Sequence, residues 1–478
     1  MISGQTLQTL SSILGPEHLL TRQEDLIPFG TDATKLRFMP EAVAFPGTPE
    51  EISRILQLAN QELFPVIPRG AGSGKSGGAL PVEGGLVLAM DRFNRILEID
   101  RRNLVARVEC GVITARFQEA VEKVDLFYPP DPASIHISTL GGNVAECAGG
   151  LRAVKYGVTR DYVLGLTAVL PTGEIIKTGV ETAKGVVGYD LTRLLIGSEG
   201  TLAVVTEMVL RLIPKPASRR TMMAFFDSAS ATVETVSEII RSKIVPTALE
   251  FLDRTCIGCV KEDMGLAVPE GSGALLLIEV DGDEGLARKE AKRVKDICTR
   301  RGALEFRSAS RLRDSERLWE ARRNVSQSVY KLRPDKISED IVVPRSRMAE
   351  FIGFLEELAS RCDLPMAAYG HAGDGNIHTN IMVDRSNREE MARAEKAVEE
   401  LFQEVLRLGG TLSGEHGIGI TKSPFFQWEI HPGAFDAMLR IKRALDPNDI
   451  LNPGKIFTPN RAFFQAATFA TTERAPKP

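Results

Sequence analysis

The segment HAGDGNIHTN, residues 371–380, constrains the fold of this chain most strongly, because it predicts a tight β-hairpin. Asp374-Gly375 is a strong signal for a two-residue turn, and the flanking residues favour strands. With these two residues as the loop, His371 is predicted to lie directly opposite His378 on one face of the ladder. The Cβ atoms of such neighbours are roughly 5 Å apart, which suits two ligands of one metal ion.

A second segment, residues 414–419, adds a carboxylate and a third imidazole, Glu415 and His416, in a loop too rich in glycine for a regular helix. The chain has only 6 histidines in 478 residues, and half of them fall in these two segments. The alternative is a polar hairpin with one hydrogen-bonded and one surface histidine. The clustering instead favours a divalent cation, Zn, Mn or Fe, held by His371, His378 and Glu415.

The length and composition limit the protein class. At 478 residues the chain exceeds what one core usually serves, so two or three domains are expected. A net charge of −4 and a pI near 6.0 give no electrostatic reason to expect nucleic acid. The first residues lack a secretory signal and no apolar run is long enough to cross a bilayer, so a cytoplasmic location is expected.

The 6 cysteines do not indicate a disulfide framework in so long a chain. Cys256 and Cys259 match a CxxC pattern, but no second close pair completes a zinc or iron–sulfur site, so inert thiols are expected. The chain itself is therefore not expected to carry an iron–sulfur cluster with four cysteine ligands.

The segment RGAGSGKSGG, residues 69–78, resembles two nucleotide-binding motifs without satisfying either. Residues 72–77 match GxGxxG, but a Rossmann motif requires a helix there, and the following residues predict a turn and a strand. Gly74-Lys75-Ser76 matches the end of a P-loop, but the glycine required five positions before Gly74 is Arg69. The remaining interpretation is a glycine run whose backbone N–H groups form a nest for a pyrophosphate.

Three further segments rich in small residues are interleaved with predicted strands, at residues 139–150, 155–159 and 197–206. Together with residues 69–78, these glycine-bearing loops indicate one long ligand lying across a sheet. After Pro214 and Pro216, strand and amphipathic-helix patterns alternate, which predicts an antiparallel sheet backed by helices.

The motifs PRGAGSGKSGGA, PPDPAS, STLGGNVAECAGG, YGVT and IGSEGTLAVVTE, in this order, resemble the FAD-binding domain of the vanillyl-alcohol oxidase/p-cresol methylhydroxylase superfamily. HAGDGNIH, SGEHGIG and LNPGKIF resemble its branch of glycolate oxidase D-subunits, D-lactate dehydrogenases and D-2-hydroxyglutarate dehydrogenases. The similarity extends from about residue 20 to residue 457.

This resemblance implies an α+β fold. A two-subdomain FAD-binding domain of p-cresol methylhydroxylase type is expected over residues 1–216, and an antiparallel-sheet cap domain for the substrate over residues 217–410. A C-terminal helical segment, residues 411–460, would return to complete the active site and the FAD domain. Residues 461–478 depart from the resemblance and are predicted to be a disordered tail.

The resemblance also implies non-covalent FAD. Some relatives attach FAD through a histidine, but residues 69–78 contain none, and His136 is expected near the cofactor without a bond to it. The candidate FAD-binding residues are Pro68, Arg69, Gly70, Ala71, Gly72, Ser73, Gly74, Gly77, Gly78, Pro130, Asp131, Ser134, Thr139, Gly141, Gly142, Asn143, Ala148, Gly149, Tyr156, Gly157, Val158, Glu199, Gly200, Val204, Val205 and Asn452.

For the substrate, the resemblance implies a carboxylate anchor at Arg322, with Arg323 as the alternative. Ser326 and Lys336 occupy positions that assist substrate binding in the hydroxyglutarate branch, although the glycolate branch lacks the lysine. Strand alternation puts Asn380 on the face of the predicted metal ligands, where it would orient the substrate or a ligand.

The implied activity is FAD-dependent oxidation of a small D-2-hydroxy acid, D-lactate or glycolate, to the 2-oxo acid. The metal would polarise the hydroxyl group, and His416 would take its proton while C2 gives hydride to FAD. Electrons would pass to a separate acceptor: an iron–sulfur subunit, an electron-transfer flavoprotein, a cytochrome or a quinone. A homodimer and a membrane-peripheral location through such a partner are compatible with this interpretation.

Three alternatives stay open. The first is an FAD oxidase for a different alcohol, without the metal. The second is an FAD-binding redox subunit that passes electrons within a larger complex. The third, an NTP-binding protein, depends on Gly74-Lys75-Ser76 alone.

Overall fold

The computed structural model describes residues 2–457 except 183, 265, 266 and 310. The tail predicted to be disordered, residues 461–478, lies outside the described residues. Within them the strands form sheets of four, five and seven strands and one two-stranded pair. None of the described helices combines the length and the hydropathy needed to span a membrane.

The four-stranded sheet contains the predicted strand–helix–strand opening. Thr48 caps the helix Pro49–Glu62, its Oγ1 accepting a hydrogen bond from the N–H of Glu51 at 3.2 Å. The sheet has three parallel strands and one antiparallel edge strand, Leu19–Leu20. In spatial order its strands are Leu19–Leu20, Ala42–Ala44, Leu86–Ala89 and Val66–Arg69.

The five-stranded sheet is antiparallel throughout. Its strands are, in spatial order, Ile96–Asp100, Val105–Glu109, Val204–Arg211, Val163–Val169 and Ile175–Gly179. The pair Leu126–Phe127 and Ile213–Pro214 is separate from it. The α-helices of this half are Gly4–Leu14, Gln23–Leu26, Pro49–Glu62, Thr114–Glu122, Leu140–Glu146, Ala153–Tyr156 and Leu191–Leu195.

The helix Leu140–Glu146 corrects one prediction. The sequence predicts a glycine-bearing loop for residues 139–150, but the Thr139 hydroxyl accepts a hydrogen bond from the N–H of Gly142 at 3.2 Å and starts a helix there. Small residues here therefore allow close packing of a helix as well as irregular backbone.

The seven-stranded sheet is antiparallel and helices pack against it, which confirms the predicted antiparallel sheet backed by helices. Its interior strand Ala274–Gly282 is buried on both faces, because the apolar run over residues 274–278 leaves no polar face for solvent there. The strands in spatial order are Glu305–Ser308, Ser218–Phe226, Ala274–Gly282, Ala248–Asp253, Met366–His371, Asn376–Val383 and Asp335–Val342.

Two groups of helices cover this sheet, one on each face. Leu276 and Ile278 pack in one hydrophobic cluster, and Leu275 and Leu277 pack in the other, as strand alternation requires. The helices of the first face are Ala229–Arg241, Glu284–Arg300, Met348–Cys362 and Arg388–Arg407, and those of the second are Arg254–Met264 and Leu312–Ser328.

The C-terminal segment returns to the first sheet after the helices Phe426–Glu429 and Pro432–Leu445. The N–H of Val66 donates to the carbonyl of Ile450, and the N–H of Asn452 donates to the carbonyl of Val66, each at 2.8 Å. The segment thereby extends the edge of the four-stranded sheet. The domain limits at 216, 410 and 460 stay predictions.

Candidate active site

The predicted hairpin forms, but its loop has four residues, 372–375. Its strands are Met366–His371 and Asn376–Val383. His371 lies opposite the first residue of the second strand, and His378 lies opposite Tyr369. The predicted direct pairing of His371 with His378 is therefore wrong.

The backbone of the loop explains the register. A two-residue type I′ turn requires positive φ at both Asp374 and Gly375, and only Gly375 has it, at +89°. Instead, the carbonyl of His371 accepts hydrogen bonds from the N–H groups of both turn residues, at 3.2 and 3.1 Å. The observed register differs from the predicted one by two residues, so His371 and His378 keep one face, with ring centroids 5.3 Å apart.

His371 is buried between two carboxylates from distant parts of the chain. Its Nδ1 lies 2.7 Å from Oε1 of Glu250, its cross-strand partner on Ala248–Asp253. Its Nε2 lies 3.3 Å from Oε1 of Glu415. Both ring nitrogens of His371 therefore have a carboxylate partner.

Asp340 organises the loop that carries Glu415 and His416. Its Oδ2 accepts hydrogen bonds from the backbone N–H groups of Gly414, Glu415 and His416 at 3.0, 2.7 and 3.0 Å. Burial raises the pKa of Asp340, but the electrostatic interaction with His416, the hydrogen bond with His378 and the charge of Lys422 outweigh it and hold this pKa well below its usual range. Asp340 is therefore a buried anion that fixes an irregular backbone.

His378 and His416 lie side by side near Asp340. Their rings are stacked, with centroids 5.5 Å apart and planes at 14°. Oδ1 of Asp340 lies 3.4 Å from Nδ1 of His378, and Oδ2 lies 3.9 Å from Nδ1 of His416. Nε2 of His416 is therefore the nitrogen turned away from this carboxylate.

Two overlapping groups of side chains could hold a cation, and in each group the ligand atoms lie within 4.8 Å of one another. The predicted group is His371, His378 and Glu415, and the second is Asp340, His378 and His416. Nδ1 of His378 is buried and has no hydrogen-bond partner among the described residues. Two imidazoles and a carboxylate are ligands that Zn, Mn and Fe accept, so the donor set fits a divalent cation.

Burial and nearby charges set the protonation of Glu415 and His416. Burial raises the pKa of Glu415, but the charge and hydrogen bond of His371 outweigh it and lower this pKa to about 2. Burial lowers the pKa of His416 to about 3, against the opposing charge of Asp340 and with a contribution from Lys75. Glu415 is therefore an anion and His416 a neutral imidazole, the form that accepts a proton.

A cavity of about 1700 Å³, counted with its open mouth, is lined by both this cluster and the glycine segments. His371, His378, Glu415 and His416 all reach it. The candidate FAD-binding residues on its lining are Pro68, Arg69, Gly70, Ala71, Gly72, Ser73, Gly74, Gly78, Ser134, Thr139, Gly141, Gly142, Asn143, Ala148, Gly149, Glu199, Gly200, Val204 and Val205.

Seven candidate FAD-binding residues are not on the lining. One of them, Asn452, supports it from behind, because its Nδ2 donates to the carbonyls of Gly78 and Glu199 at 2.9 and 2.8 Å. The seven are Gly77, Pro130, Asp131, Tyr156, Gly157, Val158 and Asn452.

The segment 69–78 presents unsatisfied backbone donors at this cavity. Within residues that the structure describes, the N–H groups of Ala71, Gly72 and Ser73 have no hydrogen-bond acceptor. A Cβ added at Gly74 would meet only Glu146, at 3.7 Å. A row of free N–H groups beside open space suits the oxygens of a pyrophosphate, so these residues fit FAD.

Arg322 lies buried at the same cavity, 5% exposed. Its Nη2 is 2.5 Å from Oε2 of Glu250, and its guanidinium carbon is 4.8 Å from the ring centroid of Tyr369. Its Nε has no hydrogen-bond partner among the described residues. The Glu250 carboxylate therefore bridges Arg322 and His371 and leaves guanidinium donors available.

Comparisons with known proteins cover both halves of the chain. A family model described as "FAD binding domain" matches residues 40–179, and one described as "FAD linked oxidases, C-terminal domain" matches residues 215–456. The glycolate oxidase subunit GlcD of Bacillus subtilis (strain 168) is 43% identical over 458 residues, which are 96% of this chain and 97% of that protein. The chain belongs to the FAD-linked oxidase family.

Other known proteins are similar to this FAD-linked oxidase over most of its length. A D-lactate dehydrogenase of Anaerostipes hadrus is 34% identical over 456 residues, 93% of this chain and 95% of that protein. The solved structure of p-cresol methylhydroxylase with substrate bound has a TM-score of 0.77 at 19% identity and covers 95% of this chain and 96% of that one. The predicted α+β fold of p-cresol methylhydroxylase type and the predicted FAD-dependent oxidoreductase class are confirmed.

The predicted substrate-binding residues of this FAD-linked oxidase do not all reach the cavity. Arg322, Arg323 and Ser326 line it. Lys336 does not, and its Nζ donates to the carbonyl and the Oγ of Ser326 at 2.6 Å each. Asn380 is fully buried inside the sheet, with Nδ2 3.4 Å from two backbone carbonyls. His136 is exposed and is not on the lining, so its expected place near the cofactor stays a prediction.

Sequence reasoning missed Glu250 and Asp340. Glu250 interrupts the apolar strand ALEFLD and is fully buried. A charged residue within such a strand was the available signal, because buried carboxylates require partners. Asp340 has no such signal, since its strand Asp335–Val342 is mostly polar. The sequence identifies the partner of neither residue, because the strand order decides it.

Proposed function

We propose that this FAD-linked oxidase oxidises a small D-2-hydroxy acid, D-lactate or glycolate, to the corresponding 2-oxo acid. One observation carries the proposal: His371, His378, Glu415 and His416 form a buried cluster on the same cavity as the glycine segments. The names of two relatives, a glycolate oxidase subunit and a D-lactate dehydrogenase, support the substrate class.

In this proposal Arg322 binds the substrate carboxylate, because a guanidinium matches a carboxylate with two parallel hydrogen bonds. Glu250 and the ring of Tyr369 hold the guanidinium in place before substrate arrives. Arg323, on the same lining, is the alternative anchor. Ser326 provides a hydroxyl at this cavity, and Lys336 holds that hydroxyl in position.

His416 takes the proton of the substrate hydroxyl at Nε2. Two observations support this role: the imidazole is neutral and can therefore accept a proton, and its Nδ1 is the nitrogen that faces the Asp340 anion. Asp340 would also stabilise the positive charge that the ring acquires. Asn380 lies behind the cluster and supports the strand of His378 through a contact with its carbonyl.

His371, His378 and Glu415 would hold the divalent cation, Zn, Mn or Fe. When bound, FAD accepts hydride from C2, and the cation acts as a Lewis acid on the hydroxyl oxygen. Glu250 fixes His371 by occupying its Nδ1, which leaves Nε2 on the side of Glu415.

Electrons would leave the chain for a separate acceptor, such as an iron–sulfur subunit, an electron-transfer flavoprotein, a cytochrome or a quinone. The word subunit in the name of the Bacillus subtilis relative supports a partner. No cysteine among the described residues belongs to a group that could hold a metal.

Anaerobic mixing of the FAD-loaded protein with a panel of D- and L-2-hydroxy acids tests the proposal. We expect D-lactate or glycolate to bleach the flavin and L-lactate not to. Bleaching by none of them would contradict the proposal and favour an FAD-binding redox subunit, whereas bleaching by a sugar alcohol or an aldonolactone would favour an oxidase of a different alcohol.

Removal of the metal tests the cation separately. Elemental analysis of the purified protein should find about one divalent ion per chain, bound by His371, His378 and Glu415. Exhaustive chelation should abolish flavin reduction by substrate and leave the flavin bound. Full activity after chelation would show that no cation takes part.

A further inference from the structure

A second cavity borders the first, and most of the charged residues on its lining are basic. It measures about 1950 Å³, counted with its mouth. We call it the lysine cavity, after Lys35, Lys75 and Lys336. The charged side chains on its lining are Lys35, Lys75, Lys336, Arg385, Asp335 and Glu339.

The three lysines are not neutralised by neighbouring carboxylates. Among the described residues, no carboxylate lies within ion-pair distance of Lys35, Lys75 or Lys336. Nζ of Lys35 and Nζ of Lys336 lie instead over the ring of Tyr330, 4.3 and 5.0 Å from its centroid. Cations that converge without a counter-ion attract an anion into the space between them.

The two carboxylates of the lining are already engaged. Glu339 is 4% exposed, and its Oε2 lies 4.0 Å from Nζ of Lys422. Oδ2 of Asp335 accepts a hydrogen bond from the N–H of Arg385 at 3.3 Å. Burial, together with the charges of Lys75 and Lys35, lowers the pKa of Lys336 to about 7. Lys35, Lys75 and Arg385 therefore supply the positive charge of the lysine cavity.

The lysine cavity has an exposed lysine on its lining and adjoins the candidate active site. Lys35 is exposed, whereas Lys75, Lys336 and Ser326 are half-buried. Lys75 and Ser326 line both cavities. Ser326 lies four residues after Arg322 on the helix Leu312–Ser328, so the two side chains share one face of that helix.

We propose that the lysine cavity is the passage by which an anionic substrate reaches Arg322 and the histidine cluster while FAD fills the glycine-lined cavity. The passage depends on the proposed function, since it presupposes a substrate that carries a carboxylate. Clefts lined by one sign of charge raise association rates about 10- to 1000-fold without altering the chemical step. Lys35 at the mouth therefore acts on substrate capture and not on hydride transfer.

A third cavity offers the competing route. It is lined by arginines and borders the first cavity at Arg323. Two of its guanidinium groups are already paired: Arg152 lies 3.3 Å from Asp131, and Arg220 pairs with Glu284. Arg219 and Arg311 also line this cavity, so positive charge is present on both routes, and a substitution on each route decides between them.

Stopped-flow reduction of the FAD-loaded full-length protein tests the passage. The substrate is D-lactate or glycolate, whichever reduces the wild-type flavin, at low ionic strength. Lys35→Gln should lower the second-order rate constant of reduction about threefold or more and leave the limiting rate at saturation unchanged. Added salt should reduce the difference. Lys35→Arg keeps the charge in the same left-handed backbone conformation and should keep the wild-type rate constant.

Arg311→Gln, at an exposed arginine on the lining of the competing route, is the matched control and should leave the rate constant unchanged. A wild-type rate constant in Lys35→Gln, or a larger loss in Arg311→Gln, would overturn the passage and leave the proposed function intact. Absence of flavin reduction by either acid would overturn the proposed function. In that case, oxalate serves as the anion, and its association rate is measured by flavin absorbance in the wild-type and Lys35→Gln proteins. The comparison of the two rates tests the passage without requiring turnover.

Discussion

At the scale of residues, two buried carboxylates position the groups of the candidate active site. Glu250 contacts both His371 and Arg322, which pack on opposite sides of its carboxylate. Asp340 binds three consecutive backbone N–H groups and so fixes where Glu415 and His416 point. Buried charges of this kind cost desolvation energy and are stable only with such partners.

Replacement of one buried carboxylate tests this dependence. Glu250→Gln should lower the free energy of unfolding by about 3–5 kcal/mol, because it leaves the charge of Arg322 buried without a counter-ion. Urea unfolding of the full chain measures the change. Glu234→Gln is the control, since its pair with Arg301 is exposed and its loss should cost at most about 1 kcal/mol. Equal effects of the two substitutions would show that Glu250 is not a structural counter-ion.

Substitution of His416 tests its proposed role as the general base. His416→Ala should leave the absorbance spectrum of the bound flavin unchanged and slow its reduction by substrate about 100-fold or more, the usual contribution of a general base. Single-turnover stopped-flow absorbance measures the rate. His136→Ala, at an exposed histidine, should retain the wild-type rate. An unchanged rate in His416→Ala would exclude His416 as the base.

At the scale of elements, the hairpin keeps both histidines at the site because its observed register differs from the predicted register by an even number of residues. Period-two alternation keeps His371 and His378 on one face even though a four-residue loop replaces the predicted two-residue turn. The loop also depends on a close approach, because a Cβ at Gly375 would lie 2.1 Å from the carbonyl oxygen of Val343. The loop and the neighbouring strand end are therefore packed backbone against backbone.

Substitution at the loop tests that packing. Gly375→Ala should destabilise the protein by at least about 1–3 kcal/mol, because alanine is strained at a φ of +89° and its methyl group meets the Val343 carbonyl. Thermal unfolding measures the effect. Gly353→Ala is the opposite case: this exposed helical glycine has nothing within 4 Å of an added Cβ, and alanine should stabilise the helix by about 0.5–1 kcal/mol. A neutral Gly375→Ala would show that the loop can relax.

At the scale of the whole molecule, the C-terminal segment closes the first sheet and supports the cavity from behind. Nζ of Lys455 donates to the carbonyl of Leu80 at 2.6 Å and to Oδ1 of Asn452 at 3.2 Å. Burial lowers the pKa of Lys455 to about 7, although Glu199 and Asp32 oppose this shift. The closure of the fold therefore includes a buried titratable group.

This burial predicts a pH dependence of stability. Between about pH 7 and pH 10.5 the unfolded chain holds a proton on Lys455 that the folded chain has lost, so the free energy of unfolding should rise with pH across this window. Lys455→Met removes the titration and should flatten the rise, as urea unfolding at several pH values would measure. Lys289→Met, at an exposed lysine, should leave the slope unchanged. An unaltered slope in Lys455→Met would contradict the prediction.

The sequence predicted the elements of the site better than their contacts. The ordered motifs were enough for the α+β fold and the FAD-linked class, because they carry the resemblance to a known family that implies both. Strand and helix patterns by themselves predicted the antiparallel sheet backed by helices. They were not enough for the helix over Leu140–Glu146 or for the loop of the hairpin. Both depend on backbone hydrogen bonds that compete with the turn and loop signals.

The sequence by itself determined which residue types were available: three histidines in two short segments, glycine runs for an anion, and an alternation that keeps His371 and His378 on one face. Only the tertiary structure decided their partners. Glu250 and Asp340 reach the histidines because the strand order of the seven-stranded sheet places their strands beside the hairpin strands. Strand order depends on contacts between residues far apart in the chain, which periodicity within one segment does not encode.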